Sequence, residues 1–320
     1  MIKFENVTKT YPNGGKAVSN LNFHVKQGEF VCLIGPSGCG KTSTLKMINR
    51  LQESTSGNIL VNGQNIKSQD PVQLRRGIGY VVQQIGLFPH MTIQENISVV
   101  PKLLGWPEEK RKLRCKELLQ MVGLDPESYG NRYPAQLSGG QQQRVGVLRA
   151  LAAEPDLVLM DEPFGALDPL IRESLQDELK RLQSKMSKTI VFVTHDMDEA
   201  LKLADRIVLM KDGEIIQNGT PDDLLYRPAS AFVEEFMGSQ RLSVLDMTKV
   251  EKVMTAINGR QMPAMTPDIT IKADTSVHQA FQHMFVTKED QYWVVDIEGK
   301  PVGCLNVDSV AEFLKGNSAV

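Results

Sequence analysis

One stretch constrains this chain more than any other: Gly35-Pro36-Ser37-Gly38-Cys39-Gly40-Lys41-Thr42, which fits G-x-x-x-x-G-K-[ST]. Its context gives the pattern meaning. The apolar run Phe30 to Ile34 before it reads as a buried strand. Thr42 to Leu51 after it reads as a helix, with Leu45, Ile48 and Leu51 on its apolar face. Three glycines let the backbone curl so that successive N–H groups point inward at an anion. The N-terminus of the helix adds partial positive charge. Lys41 is then placed for the β- and γ-phosphates of a nucleotide and the Thr42 hydroxyl for Mg²⁺, with Ser43 beside it.

The rest of the chain reads as an α/β frame around that loop. Residues 2–31 alternate as strands, Gly57 to Ile66 as a hairpin around Asn62-Gly63, and Gly77 to Val82 as another strand. Residues 91–150 change character and predict an inserted helical subdomain. Thr92 to Glu95 is a capping box, and Pro107 suits the first position of a helix with Leu113, Leu118, Leu119 and Val122 on its apolar face. Leu157 to Met160 and Thr189 to Val193 are uninterrupted apolar runs, typical of central parallel strands. Between them lies an amphipathic helix with Ile171, Leu175, Leu179 and Leu182 on one face. Strands alternating with helices mean a largely parallel sheet with its ligand at the strands' carboxyl ends.

Three polar sites follow three apolar strands: Gln83, Asp161-Glu162 and His195. Strand ends of this kind converge on one crevice. Asp161 suits Mg²⁺, directly or through water. Glu162 suits a general base acting on water. His195 can hydrogen-bond a γ-phosphate, and Gln83 can reach metal or water. Tyr11, in a polar Pro/Gly loop, could stack on a base or simply pack a turn. A second anion-binding device, Leu137-Ser138-Gly139-Gly140-Gln141, opens a helix. Ser138 and Gln141 fit a capping box, but the two adjacent glycines exceed what a cap needs. Two devices for one nucleotide favour two copies facing each other.

This set resembles the nucleotide-binding subunit of an ABC transporter over residues 1–238. The match runs through Tyr11 (adenine-stacking loop), Gly35 to Thr42 (Walker A) and Gln83 (Q-loop). It continues through Leu137 to Gln141 (signature), Leu157 to Glu162 (Walker B), Ala166-Leu167-Asp168 (D-loop) and His195 (H-loop). The resemblance implies a P-loop NTPase fold: a RecA-like core, an antiparallel β subdomain and the inserted helical subdomain. It also implies ATP and Mg²⁺ as cofactors, with catalysis by Lys41, Gln83, Glu162 and His195. In a head-to-tail homodimer, Ser138, Gly139 and Gly140 of one chain would meet the nucleotide bound by the other, and Asp168 would cross the interface. The interval between Thr42 and Ser138 is too short for the coiled coils of SMC-type ATPases. Gln84 to Met91 resembles the importer-type surface that receives a membrane subunit.

Residues 239–249 read as a linker. Residues 250–320 resemble a single CBS repeat, a small α/β domain with Tyr292 to Asp296, the Glu298-Gly299 turn and Pro301 to Leu305 at its core. Val277, Ala280, Phe281 and Met284 form the apolar face of its first helix. Nucleotide-binding CBS repeats usually carry Thr and Asp where this chain has Asn306 and Ser309. A regulatory nucleotide at the tail therefore stands beside a plain packing or dimerisation module. An ABC ATPase with a CBS tail is similar to the quaternary amine importers of the glycine betaine, carnitine and choline class. That implies an integral membrane permease as partner and, indirectly, a solute-binding protein. An importer for another solute, such as a polyamine or amino acid, and a soluble ATP-dependent switch remain alternatives.

Composition agrees. A net charge of −2 over 320 residues gives no global field for nucleic acid. No apolar run approaches the roughly 18 residues of a membrane span, and Met1 to Asn6 starts directly as a strand, not as a signal peptide. Cys32, Cys39, Cys115 and Cys304 show no metal-like pairing. The expectation is a cytoplasmic protein, peripheral on the inner face of the cell membrane.

Overall fold

A computed structural model describes residues 1–83, 86–165, 167, 169–186, 188–238, 248–256, 265–289 and 291–314. Strands β1 (Ile2–Thr10) and β2 (Lys16–Val25) pair antiparallel, and β4 (Ser56–Val61) pairs with the other edge of β1. β5 (Gln64–Asn65) closes the hairpin at Asn62-Gly63, where both residues take positive φ as a tight turn needs.

The central sheet runs β10-β9-β3-β8-β7-β6. Its strands are β3 (Phe30–Ile34), β6 (Ile78–Val81), β7 (Leu157–Asp161), β8 (Thr189–Val193), β9 (Arg206–Lys211) and β10 (Glu214–Gly219). The pairings β6–β7, β7–β8, β8–β3 and β3–β9 are all parallel. Every residue of β3, β7 and β8 is buried, which accounts for their unbroken apolar runs. Helix α1 (Lys41–Ile48) leaves the glycine loop after β3, and α2 (Pro71–Arg76) precedes β6.

The inserted segment holds α3 (Ile93–Leu103), α4 (Glu108–Met121), α5 (Pro126–Tyr129) and α6 (Gly139–Leu151). It has its own core, with Ile93, Ile97, Cys115, Leu118, Leu119, Leu137, Val145 and Leu148 buried together. Helix α7 (Pro169–Met186) and α8 (Met197–Leu203) flank β8 in sequence.

Contacts divide the chain at Asn218/Gly219. The second unit contains α9 (Pro221–Tyr226), a helix α10 over residues 231–238, β11 (Thr270–Lys272), α11 (Val277–Thr287), β12 (Tyr292–Val295), β13 (Pro301–Leu305) and α12 (Val307–Leu314). Its three strands order as β11-β12-β13 over a separate core built on Val250, Ile271, Val277, Tyr292 and Val294.

Four details differ from the sequence expectation. Helix α1 stops at Ile48, because Asn49 caps it and Arg50 turns left-handed, so Leu51 lies half exposed. Leu113 is exposed on α4, while Leu118, Leu119 and Val122 are buried. Phe281 is exposed on α11 beside buried Val277, Ala280 and Met284. Pro107 caps α4 from just outside. Asp168, Ala166, Gln84, Ile85 and most of the 239–249 segment lie outside the described residues, as do the side chains of Ile171 and Leu182.

Candidate active site

The loop between β3 and α1 is shaped by two glycines that tolerate nothing larger. Gly35 has φ 139°, and a Cβ there would run into the Met210 carbonyl. Gly40 has φ 104°, and a Cβ there would strike the Ala17 carbonyl. Gly38, at φ 81°, faces open space. The loop is pinned from behind by Gly213, whose N–H donates to the Cys39 carbonyl at 3.2 Å. The Cys39 thiol is buried, and burial raises its pKa against the opposing pull of Lys41. Lys41 is itself buried. Its Nζ donates to the carbonyls of Gly35 (2.7 Å) and Pro36 (2.9 Å), so the loop closes around its own ammonium.

Strand order brings the other groups to the same edge. β8 lies beside β3, then β7, then β6, so the residues ending these strands fan out from the loop. The Thr42 hydroxyl donates to Asp161 Oδ1 at 2.8 Å, across the gap between α1 and β7. Asp161 is almost fully buried, and desolvation raises its pKa, opposed by the Thr42 hydrogen bond and by Lys46. Glu162 follows in the left-handed region, at φ 46°, a conformation uncommon for a non-glycine residue and concentrated at functional sites. Its N–H donates to the Val193 carbonyl at 2.9 Å. Its carboxylate accepts from Gln83 Nε2 at 3.1 Å and lies 3.2 Å from His195 Nδ1.

One open cleft of about 600 Å³ is lined by Tyr11, Ser37, Gly38, Gly40, Lys41, Thr42, Ser43, Gln83, Glu162 and His195, with Ala17, while buried Asp161 reaches it only through its bond to Thr42. The Tyr11 hydroxyl lies 3.1 Å from Ser43 Oγ and donates to Gln52 at 3.3 Å, while Lys9 Nζ sits 5.3 Å from its ring centroid. Ala17, Gln52 and Lys9 were not legible as site neighbours; nothing in their spacing marks them.

Ser138 to Gln141 do not line this cleft. Ser138 caps α6, its Oγ accepting from the Gln141 N–H while the Gln141 side chain accepts from the Ser138 N–H, a reciprocal capping box. Gly139 faces open space and is exposed. The capping box thus leaves the glycine-tipped end of the helix uncovered. In the tail, Asn306 and Ser309 are spent on each other: the Ser309 N–H donates to Asn306 Oδ1 at 2.7 Å and the Asn306 N–H to Ser309 Oγ at 3.1 Å. The pair caps α12.

Residues 18–165 match the ABC transporter family, and residues 257–316 match the CBS domain family. The choline transport ATP-binding protein OpuBA of Bacillus subtilis is 58% identical over 315 residues, covering 98% of this chain and 81% of that protein. The glycine betaine/carnitine/choline transport ATP-binding protein OpuCA of the same bacterium is 58% identical over 322 residues, covering 100% and 82%. The osmoprotectant import ATP-binding protein OsmV of Salmonella typhimurium is 49% identical, covering 95% and 78%. Among solved structures, a dimeric ATP-binding cassette in a post-hydrolysis state, bound to ADP and Pi, matches with TM-score 0.63 and 39% identity. It covers 69% of this chain and 99% of that one. The P-loop NTPase fold agrees with these likenesses: the chain belongs to the ATP-binding proteins of ABC transporters, is an ATPase of that family, and carries a CBS domain at its C-terminal end.

Proposed function

We propose that two copies of this chain bind Mg·ATP, close on each other, hydrolyse it and reopen, driving a membrane permease that imports quaternary amine osmoprotectants. The observation that supports the hydrolytic roles is the position of Glu162. It sits at the mouth of the phosphate loop, between Gln83 and His195, on a strained backbone. The cargo class rests on the names of relatives similar along nearly the whole chain.

Each residue then has a task. Lys41 exchanges the carbonyls of Gly35 and Pro36 for the β- and γ-phosphates, a swap of neutral acceptors for charged ones. The loop N–H groups of Gly38, Cys39 and Gly40 hold phosphate oxygens, helped by Ser37 and Ser43. Tyr11, its hydroxyl held by Ser43 and Gln52, presents its ring to adenine. Glu162 accepts a proton from the attacking water, which Gln83 orients, and His195 donates to the γ-phosphate. Ser138, Gly139 and Gly140 of the twin, backed by Gln141, complete the γ-phosphate site, and Asp168 meets the partner across the interface.

Thr42, Asp161 and Gln83 fit Mg²⁺: they offer oxygen donors, and the buried Asp161 carboxylate has a raised pKa that a cation would offset. Bound there, the ion would offset negative charge on the nucleotide's phosphates. No helix among the described residues is long and apolar enough to cross a membrane, so the reading needs a separate permease. It also places the chain on the cytoplasmic face of the membrane, with a solute-binding protein acting at one remove. In the tail, the mutual capping of Asn306 and Ser309 favours a regulatory packing module over a nucleotide site.

Uptake of labelled glycine betaine in a deletion strain tests the reading. The wild-type chain should restore uptake and Glu162→Gln should not. Equal uptake by both refutes the base, and restored uptake of a polyamine or amino acid alone refutes the cargo.

A further inference from the structure

Behind Glu162 and His195 lies a polar cluster with no task in hydrolysis as described above. Arg172, in the first turns of α7, lies at its centre. Its Nη2 donates to the Leu167 carbonyl at 3.2 Å, and its Nη1 donates to Asp196 Oδ2 at 2.9 Å. Its Nε lies 3.9 Å from Glu199 Oε1. These acceptors belong to two different segments of the site.

Leu167 ends the turn that begins at Glu162. Within it the Gly165 N–H donates to the Glu162 carbonyl at 3.3 Å and the Leu167 N–H to the Phe164 carbonyl at 3.1 Å. Asp196 directly follows His195. The Asp196 N–H donates to Thr194 Oγ1 at 2.9 Å, and Thr194 Oγ1 donates to buried Glu199 at 2.6 Å. Asp196 also caps α8 through the N–H groups of Asp198 and Glu199. One guanidinium therefore grips the turn leaving Glu162 and the turn carrying His195.

We propose that Arg172 is a positioning residue for ATP hydrolysis, clamping those two turns so that Glu162 and His195 hold their mutual geometry. A planar fork with donors aimed in fixed directions suits two hydrogen-bond acceptors on separate segments, with the Glu199 carboxylate near its Nε, and a flexible ammonium does not. The side chain is about 29% exposed and its Asp196 partner about 27%, so this pair is shielded more than a surface ion pair. Phosphate and adenine contacts do not pass through Arg172, so its loss should spare ATP binding. Misplacing a reacting group by 1 Å costs roughly a hundredfold in rate.

This inference rests on the roles given to Glu162 and His195, and the test separates the two. Hydrolysis and nucleotide binding are measured on the full-length chain for Arg172→Met, Arg172→Lys, His195→Ala and the double variant Arg172→Met/His195→Ala. Arg172→Met should lower kcat about tenfold or more with KM for ATP nearly unchanged, and Arg172→Lys should recover part of the loss. In the double variant the losses should fall well short of multiplying, because both changes remove one arrangement. A wild-type rate in His195→Ala would sink the underlying roles. Losses that multiply, a raised KM with kcat intact, or activity falling only with the unfolded fraction would overturn the clamp. If Arg172→Met does not fold, Asp196→Asn takes its place, since asparagine keeps the cap and removes the charge. A folded Asp196→Asn chain with wild-type kcat would overturn the clamp equally.

Discussion

Under the proposed function, Lys41 is a side chain prepared for a phosphate. It is buried, yet its hydrogen bonds go to two loop carbonyls and the Cys39 sulfur, and among the described residues no carboxylate is a hydrogen-bond partner. Lys41→Ala should weaken ATP binding at least tenfold, about the 1.5–3 kcal/mol of a charge-assisted bond, with titration calorimetry as the measurement. Gly40→Ala should instead damage the loop itself. A Cβ at φ 104° meets the Ala17 carbonyl, at a cost of about 1–3 kcal/mol in urea unfolding, and ATP binding should fall with it. Glu199 carries a different signature. Burial raises its pKa, opposed by the Thr194 hydrogen bond, with Asp196 raising it and Arg172 and His195 lowering it. A carboxyl whose native pKa is raised binds its proton more tightly when folded. Its contribution to stability is therefore complete below its unfolded pKa and is lost as pH rises through the raised native value. Glu199→Gln should flatten that part of the stability-versus-pH curve, and an unchanged slope would contradict the assignment.

At the scale of elements, caps and strand ends do most of the positioning. Thr92 and Glu95 form a complete capping box on α3, so Thr92→Ala should cost about 1 kcal/mol in urea unfolding and leave ATP affinity untouched. Much of this was readable in the sequence. Runs of apolar residues announce β3, β7 and β8 because those strands are buried on both faces, and the polar residues ending them mark the cleft. Caps at Thr92 and Ser138 are written in their own side chains. What periodicity could not tell was which apolar residue of a helix finds a neighbour. Leu51, Leu113 and Phe281 have the right spacing but no neighbour to bury them, because burial depends on the packing of other segments. Nor could it foresee the Arg172 cluster, whose members are separated in the chain and meet only through the packing of α7 beside the turns after β7 and β8. The left-handed backbone at Glu162 was equally invisible, since glutamate does not advertise positive φ.

At the scale of the whole molecule, the two units have separate cores and should respond separately to damage. Tyr292 is fully buried in the tail, its hydroxyl shared among Thr287 Oγ1, the Glu289 N–H and the Met284 carbonyl. Tyr292→Phe should destabilise the tail by about 1–3 kcal/mol in thermal unfolding while KM for ATP stays at the wild-type value. The larger claim is that a chain holding one phosphate loop and one uncovered glycine-tipped helix has half of two sites. Nucleotide-dependent association of the Glu162→Gln chain, followed by light scattering with and without Ser138→Arg, tests it most directly. The account predicts an ATP-dependent dimer for Glu162→Gln, and for Glu162→Gln/Ser138→Arg a monomer that binds ATP with undiminished affinity. A double variant that dimerises as readily as Glu162→Gln, or that loses ATP binding as a monomer, would contradict it.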